Sequence, residues 1–266
     1  MSIGPWQPLW IGEHSRQLYA ALHAPVPHAS LGVVFVPPLL HEQPRSRRFL
    51  TEAASELAAI GIPVLRFDFY GTADSAGHGA ELDFATMRDD LTRTVHALRA
   101  LAHVDRVALL AWRAGALPTW NWLRHGGEVS SVVLWEPVLS GTEWIAELEE
   151  ADRHERCSPE RYTGVLPQAA DFDDGQLMGY PVSNAFRVQC AGVDIRAGDT
   201  PGRDVPMWMV ERDGDRTASL TRDRTFVLPT DAPQFAGSTR MDVSLFMSPR
   251  MQHTIRGIGE ALLEGV

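Results

Sequence analysis

The segment Leu109–Leu117 (LLAWRAGAL) carries the most informative pattern in this chain. An apolar stretch runs into a turn with small residues at both ends, Ala111 and Gly115, and helical spacing then resumes. This is the layout of a nucleophile elbow, in which the central residue stands at the tip of a sharp strand-to-helix turn. The central residue here is Arg113, flanked by Trp112 and Ala114.

Arg113 changes the chemistry that such a turn can support. A guanidinium keeps its proton near neutral pH, so Arg113 is unsuited to act as an acyl nucleophile. It can bind anions, and the N–H groups and dipole of the helix that follows favour negative charge at the same place. The pattern therefore predicts a site for an anionic small molecule. The alternative is that Arg113 is a surface residue on an ordinary strand-to-helix turn.

The other members of a Ser-His-Asp triad can be sought at their usual places in the chain. The acid would follow the strand predicted at Met207–Val210, where Asp213 and Asp215 occur, although surface carboxylates would look the same. The base would follow the last strand, but the segment after Leu228 (PTDAPQFAG) contains no His, and His253 lies further on in a helical stretch. With two of three roles vacant, we expect no Ser-His-Asp acyl chemistry.

Residues that could replace the missing groups lie on neighbouring loops. The loop Pro37–Arg48 holds the place that normally supplies an oxyanion-hole N–H, and His41 or Glu42 could act there as a general base beside Arg113. The alternative is that Glu42 pairs with an arginine of its own loop and that His41 is solvated. Glu136 follows a strand and could pair with Arg113, orient it, or form a structural ion pair.

A second group of residues is expected near the same edge of the sheet. Asp68, Asp74 and Ser75 lie on the loop after the third predicted strand, and no His is placed by sequence to activate Ser75. The residues expected to contact a ligand are Arg113 and its neighbours at the elbow and on the preceding loop: Leu39, Leu40, Trp112 and Ala114. Trp112 and the other tryptophans are alternatively core residues.

The elements that would position these residues alternate between strand and helix. Strands are predicted at Leu18–His23, Leu31–Pro37, Ile62–Phe67, Arg106–Ala111, Ser130–Trp135, Pro206–Val210 and Thr225–Leu228, and helices at Ser46–Ile60, Phe84–Leu101, Gly115–Leu123 and Met251–Leu263. This alternation predicts one α/β domain over residues 1–266, with a mostly parallel sheet and helices on both faces. The rhythm breaks between Ser140 and Pro201, which predicts a lid inserted between two strands.

Composition limits the classes of partner and compartment. The net charge of −10 disfavours nucleic acid and anionic membranes as main partners. Two cysteines give neither a disulfide framework nor metal-ligand spacing, and we expect no metal and no cofactor. No stretch approaches the ~20 apolar residues of a spanning helix, and the first residues lack a signal-peptide pattern, so a cytoplasmic protein is expected.

Five segments resemble a known family. They are Val36–Arg48 (VPPLLHEQPRSRR), Phe67–Gly77 (FDFYGTADSAG), Ala108–Ala116 with its WRAG core, Leu134–Gly141 (LWEPVLSG) and a stretch from Gly179–Tyr180 onward (GYPVSNAF). In this order they resemble the exosortase A system-associated hydrolases of type 2, a branch of the α/β-hydrolase superfamily. The chain departs from that family at His41 and Pro44.

The resemblance implies an α/β-hydrolase fold and a bacterial cytoplasmic protein near exopolysaccharide and protein-sorting systems. It also implies a link to acyl-thioester metabolism and makes an elbow Arg a feature of the group. "Hydrolase" is a fold-level label in that name, and a fold does not settle a function.

Three hypotheses on function follow. The first is a protein that binds a small anionic or acyl ligand through Arg113. The second is an enzyme, such as a lyase, acyltransferase or thioesterase, with a base from His41, Glu42 or Glu136. The third is a scaffold for protein interaction. A second copy of the chain (a homodimer) or an acyl-carrier protein stays open as a partner.

Overall fold

A computed structural model describes residues 6–24, 29–157, 175–196, 205–214, 223–235 and 247–265 of the chain. The strands in these ranges are β1 (Gln7–Ile11), β2 (Leu18–His23), β3 (Leu31–Val36), β4 (Val64–Phe67), β5 (Arg106–Trp112), β6 (Ser131–Trp135), β7 (Gln176–Leu177), β8 (Tyr180–Pro181), β9 (Met207–Glu211) and β10 (Arg224–Val227). The helices are α1 (Glu42–Ala59), α2 (Phe84–Ala102), α3 (Ala116–Arg124), α4 (Gly141–Arg156), α5 (Asn184–Ala191) and α6 (Pro249–Glu264).

Eight of the described strands form one mixed sheet in the order β1-β2-β4-β3-β5-β6-β9-β10. The pairs β1–β2 and β2–β4 are antiparallel, and every later pair is parallel. The carboxyl ends of β3, β5, β6 and β9 therefore meet at one edge. Ala111 pairs with Val36 and Trp112 with Trp135, so the residues that follow these strands are neighbours in space.

Helices cover both faces of this sheet, as the sequence predicts. Helices α2 and α3 bury one face and α1 and α6 bury the other. Alternate side chains of β5 serve the two cores, since Leu109 and Ala111 face α2 and α3 while Leu110 and Trp112 face α1. A strand covered on both faces must be apolar throughout, which explains the run of hydrophobic residues in β5.

Most predicted strands and helices are confirmed to within two residues at each end. Helix α1 is the main exception, because it begins at Glu42 and not at Ser46. Pro44 is compatible with the earlier start, because proline is tolerated in the first helical turn, where its missing N–H needs no partner. Strand β1 was not predicted and pairs with β2 from Gln7 to Ile11.

The segment between β6 and β9 contains α4, the β7–β8 hairpin and α5 in its described residues. It packs on the α2 side of the sheet, where the Phe84 and Phe186 rings lie 6.0 Å apart and the Phe84 amide donates to Gln189 Oε1 at 2.8 Å. That residues 140–201 act as a lid stays a prediction. Among the described helices, none has the length and apolar character needed to cross a membrane.

Candidate functional site

The turn after β5 has the backbone of an elbow. Trp112 is extended, Arg113 has a left-handed φ of 50°, and a single 3-10 turn over Arg113–Gly115 leads into α3. A left-handed conformation at a non-glycine residue costs on the order of 1–3 kcal/mol and persists where surrounding contacts enforce it. One such contact is the hydrogen bond from the Val138 amide to the Arg113 carbonyl at 3.2 Å.

Gly115 explains the small residue at the end of this turn. A Cβ at this position would lie 2.5 Å from the Pro37 carbonyl oxygen and 3.0 Å from that of Val36. The turn therefore packs directly on the backbone at the end of β3. This approach fixes the elbow relative to the loop that leads into α1.

The Arg113 side chain is held by two loops and remains 18% exposed. Its Nη1 donates to the Glu136 carbonyl oxygen at 2.8 Å, and its Nη2 lies 3.4 Å from Glu42 Oε1. Its Nε is buried with no hydrogen-bond partner among the described residues. The guanidinium is thus oriented, partly open to solvent and not saturated with partners.

Glu42 is the first residue of α1, and its side chain is only 2% exposed. Burial raises the pKa of the Glu42 carboxyl, while the positive charge and hydrogen bond of Arg113 oppose that rise. Its Oε2 finds no hydrogen-bond partner in the ranges that the structure describes. The structure therefore brings Glu42 to Arg113, and its role as a base stays a prediction.

His41 precedes Glu42 and is also buried. Burial lowers the pKa of His41 to about 4, and the positive charges of Arg45 and Arg113 add to this effect. The imidazole is therefore neutral at physiological pH. Its Nδ1 has no hydrogen-bond partner within the described part of the chain.

Glu136 contacts Arg113 through its main chain and a different arginine through its side chain. Its φ of 39° is left-handed, and its amide donates to the Val210 carbonyl at 2.7 Å. Its Oε1 accepts from Arg212 Nε at 2.6 Å, while the Arg212 Nη2 donates to the Pro233 carbonyl at 2.8 Å. Arg212 thereby joins the loops that follow β6, β9 and β10.

Arg212 was not predicted from sequence. It directly follows β9, the position at which a triad acid was sought, and only carboxylates were considered there. The neighbouring Asp213 is exposed, and Asp215 lies outside the described residues. A charged residue immediately after a buried parallel strand was the available signal, because such residues meet at the sheet edge where ligands bind.

Several residues expected to contact a ligand have buried side chains, and their contact with a ligand stays a prediction. Trp112 is 1% exposed, and its ring lies in edge contact with Phe35 and Phe49 on the α1 face of the sheet. Strand alternation causes this, since Ala111 takes the opposite face. The side chains of the remaining expected contacts are also buried, namely those of Leu39, Leu40 and Ala114.

The loop after β4 is held by hydrogen bonds to α1 and to β2. The Asp68 carboxylate accepts from Gln43 Nε2 at 2.8 Å and from Arg47 Nη2 at 3.3 Å. The Ser75 hydroxyl donates to the Asp68 carbonyl at 2.6 Å and accepts from the Tyr19 amide at 2.9 Å. Ser75 therefore acts as a bridge within the fold. In the described ranges, no three His, Cys, Asp or Glu side chains cluster as a metal site.

Solved structures with the same architecture identify the fold. Est1E from Butyrivibrio proteoclasticus, solved with ferulic acid bound, matches at a TM-score of 0.60 and 14% identity over 96% of this chain and 98% of that one. An esterase from Pyrococcus furiosus matches at 0.59 and 15% identity over 98% and 91%. Mouse alpha/beta hydrolase domain-containing protein 10 matches at 0.55 and 12% identity over 98% and 100%.

The chain has the α/β-hydrolase fold. The comparison supports the fold expected from the sequence and, at these identities, says nothing of the reaction. No protein-family model matches the chain, and no curated protein does so either. Within the α/β-hydrolase fold, Arg113 stands at the elbow tip, with Glu42 and the Glu136 carbonyl as its partners.

Proposed function

We propose that this protein binds a small anion, or an acyl ester or thioester, at the elbow through Arg113 and does not perform Ser-His-Asp acyl chemistry. The observation that carries the proposal is the Arg113 guanidinium, which is oriented at the elbow tip by its bond to the Glu136 carbonyl and whose side chain is 18% exposed. A charge-assisted hydrogen bond to such a group contributes about 1.5–3 kcal/mol. The N-terminus of α3 adds attraction for negative charge at the same place.

The surroundings of Arg113 argue against a hidden hydrolase triad. An arginine has no nucleophilic form near neutral pH. The position after β9 holds Arg212, whose guanidinium is already engaged by Glu136 and by the carbonyls of Ala232 and Pro233. The described residues after β10, 228–235, include no histidine. His253 is exposed on α6.

A second candidate function is catalysis by a different mechanism. The observation that favours it is Glu42, a buried carboxyl whose pKa is raised by burial and which lies beside Arg113. A buried carboxyl whose pKa is raised can serve as a general acid or base for a lyase or an acyltransferase. In that case the arginine would bind the charged part of the substrate. The pKa of His41, about 4, makes it the weaker candidate base.

The finer identity of the protein is part of the same proposal. The WRAG elbow and the other four segments resemble the type 2 exosortase-associated hydrolases, which implies a ligand from acyl-thioester metabolism. An acyl-carrier protein would then be a partner that delivers the acyl group, and the bacterial cytoplasm would be its location.

The test is calorimetric melting at fixed salt with octanoate and with inorganic phosphate as probes. A ligand at 100 times its Kd stabilises by about 2.7 kcal/mol, which raises Tm by several degrees in a domain of this size. We expect this shift in the wild type, its loss in Arg113→Ala and partial retention in Arg113→Lys, which lacks the guanidinium fork. Arg88→Ala is the matched control, because Arg88 is a half-buried arginine with one hydrogen bond, to Asn121, away from the elbow.

A Tm shift that is equal in wild type and Arg113→Ala would overturn the anion site. A strong loss of stability in unliganded Arg113→Ala, with ligand shifts unchanged, would make Arg113 a structural ion-pair residue.

A further inference from the structure

We propose that Glu42 couples ligand binding at Arg113 to the uptake of one proton, so that the site distinguishes a free anion from an uncharged ester or thioester. This inference rests on the anion site proposed above. It concerns a residue that does not need to touch the ligand, because Glu42 and the ligand would share one guanidinium.

The geometry of the pair supports this coupling. Glu42 Oε1 lies 3.4 Å from Arg113 Nη2, and the Glu42 side chain is 2% exposed, while the Arg113 side chain is 18% exposed. Water can therefore reach the arginine and is nearly excluded from the glutamate. An anion that binds the open part of Arg113 brings a second negative charge to a guanidinium that already balances Glu42. Two like charges that share one guanidinium in a poorly hydrated site repel each other, and protonation of one of them removes the repulsion.

Among the titratable groups around the Arg113 side chain, Glu42 is the one expected to take up the proton. Arg45 on α1 and Arg113 stabilise its negative charge, whereas Glu136 disfavours it. The Glu136 carboxylate is itself neutralised by Arg212. His41 has a pKa of about 4, so it remains neutral when an anion arrives at physiological pH.

The burial of the Glu42 carboxyl favours its protonated form. Burial raises the pKa of the Glu42 carboxyl in the unliganded protein, and a bound anion would shift it in the same direction. Its Oε2 has no hydrogen-bond partner among the residues described, so no contact there must be broken when the carboxyl takes up a proton.

The coupling has a definite sign. Bound anion raises the pKa of Glu42 further, so between the unliganded and liganded values each binding event takes up one proton. Anion affinity then falls about tenfold per pH unit as the pH rises through that window, and it is constant on either side. An uncharged ester or thioester adds no negative charge beside Glu42. Its affinity is therefore independent of pH over the same window.

The test is isothermal titration calorimetry with octanoate between about pH 6.5 and 8, where the octanoate carboxylate is ionised, in buffers of different ionisation enthalpy, which counts the protons taken up on binding. We expect uptake approaching one proton in the wild type. Glu42→Gln, a neutral isostere, is expected to bind octanoate with no uptake and with no dependence on pH. Glu56→Gln is the matched control, because Glu56 lies on the same helix and pairs with Arg256 on the surface. It should take up protons like the wild type.

Octanoate that binds the wild type without proton uptake overturns the coupling and leaves the Arg113 site intact, and this result needs no variant. The same conclusion follows if Glu42→Gln keeps the wild-type slope. If octanoate binding is absent, or is unaffected by Arg113→Ala, then the anion site itself fails and the coupling fails with it. Methyl octanoate supplies the uncharged probe, and a pH-dependent affinity for it would also contradict the proposal.

Discussion

The Nε of Arg212 lies 2.6 Å from the Oε1 of Glu136, and the main-chain carbonyl of the same glutamate accepts a hydrogen bond from Arg113. One residue thus connects two arginines, through its side chain on one side and its backbone on the other. The ion pair is largely shielded from solvent, with 21% of the Arg212 side chain and 10% of the Glu136 side chain exposed. Arg212 therefore positions the partner of the candidate binding residue without contacting that residue itself.

Replacing Arg212 should affect both stability and binding. Arg212→Ala leaves a mostly buried carboxylate without its partner, and we expect a loss of about 3 kcal/mol in the free energy of unfolding, measured by urea denaturation. The same variant should bind octanoate more weakly, because the Glu136 carbonyl no longer holds Arg113 in place. Arg212→Lys should restore part of both properties, since it keeps the charge and loses the fork.

The control for Arg212 is Arg256→Ala, which breaks an exposed pair with Glu56. Surface pairs contribute about 0–1 kcal/mol, so this variant should be close to the wild type. Equal losses in the two variants would show that Arg212 has no special role. Lost stability with unchanged octanoate affinity would make that role purely structural.

Restoring a serine at the elbow should not restore esterase activity. Arg113→Ser supplies a hydroxyl, but the described residues directly after β10, 228–235, include no histidine to activate it, and the position after β9 remains occupied by Arg212. Removing single members of a complete triad already costs about 10⁴-fold or more in turnover. We expect hydrolysis of a nitrophenyl ester at the level of the unmodified protein. Robust turnover by this single variant would reveal a histidine that reaches the site, with His41 and His253 to be replaced next.

Gly115→Ala should destabilise the protein by several kcal/mol. Its Cβ would lie 2.5 Å from the Pro37 carbonyl oxygen, so either the elbow or the end of β3 must move. Overpacking of this kind typically costs about 1–3 kcal/mol, and contact with backbone leaves little room to relax. Gly257→Ala provides the comparison, because a Cβ there meets no atom within 4 Å in the middle of α6. That variant should be more stable by up to about 1 kcal/mol. Similar effects at both glycines in thermal unfolding would contradict the close approach at the elbow.

The stability of the fold should depend on pH through Asp90 on α2. Its side chain is fully buried, its Oδ2 accepts from the Tyr70 amide at 2.9 Å, and burial raises its pKa to about 6. Arg16 and Arg93 oppose this rise, and Asp89 adds to it. The pKa of Asp90 is higher in the folded protein than in the unfolded chain. Its contribution to the stability of the fold is therefore most favourable below about pH 4 and is lost as the pH rises through about 6.

Asp90→Asn removes this titration and keeps an acceptor for the Tyr70 amide. In urea denaturation, the free energy of unfolding of the variant should therefore rise relative to that of the wild type between about pH 4 and 7. The relative increase should be at most about 3 kcal/mol at the upper end. Asp89→Asn, at the exposed neighbouring position, should show little such trend. If the free energies of unfolding of Asp90→Asn and the wild type differ by a constant amount across this range, Asp90 keeps the same protonation state throughout.

Sequence patterns were sufficient for the elbow, because the apolar run of β5, the small Ala111 and the close-packed Gly115 each have a physical cause that spacing can reveal. Side chains alternate between the two faces of the sheet along β5. Once Ala111 is assigned to the α3 face, Trp112 must therefore lie in the core on the α1 face. The pairing of Glu136 with Arg212 could not be predicted in the same way. These residues are 76 positions apart, and their contact depends on loop conformations, including a left-handed φ at Glu136.

Glu42 shows an intermediate case. Its position on the loop before a helix pointed to the sheet edge, and the structure brings it to Arg113. Its burial depends on α1 beginning at Glu42, and the sequence predicted that start only at Ser46. Burial is what raises its pKa, so the property most relevant to its chemistry was the one hidden from the sequence.

The paired rings of Trp112 and Trp135 lie behind this site, with centroids 4.2 Å apart and planes inclined at 32°. Each indole immediately precedes a charged residue of the site, Arg113 in one case and Glu136 in the other. Both are shielded from water, so their emission responds to nearby charge and not to solvent exposure. Indoles this close also couple their electronic transitions, which gives a circular dichroism signal sensitive to the angle between them. If a ligand binds at the elbow as proposed, we expect it to change this signal, and Trp112→Phe should remove the change from the background of the other tryptophans.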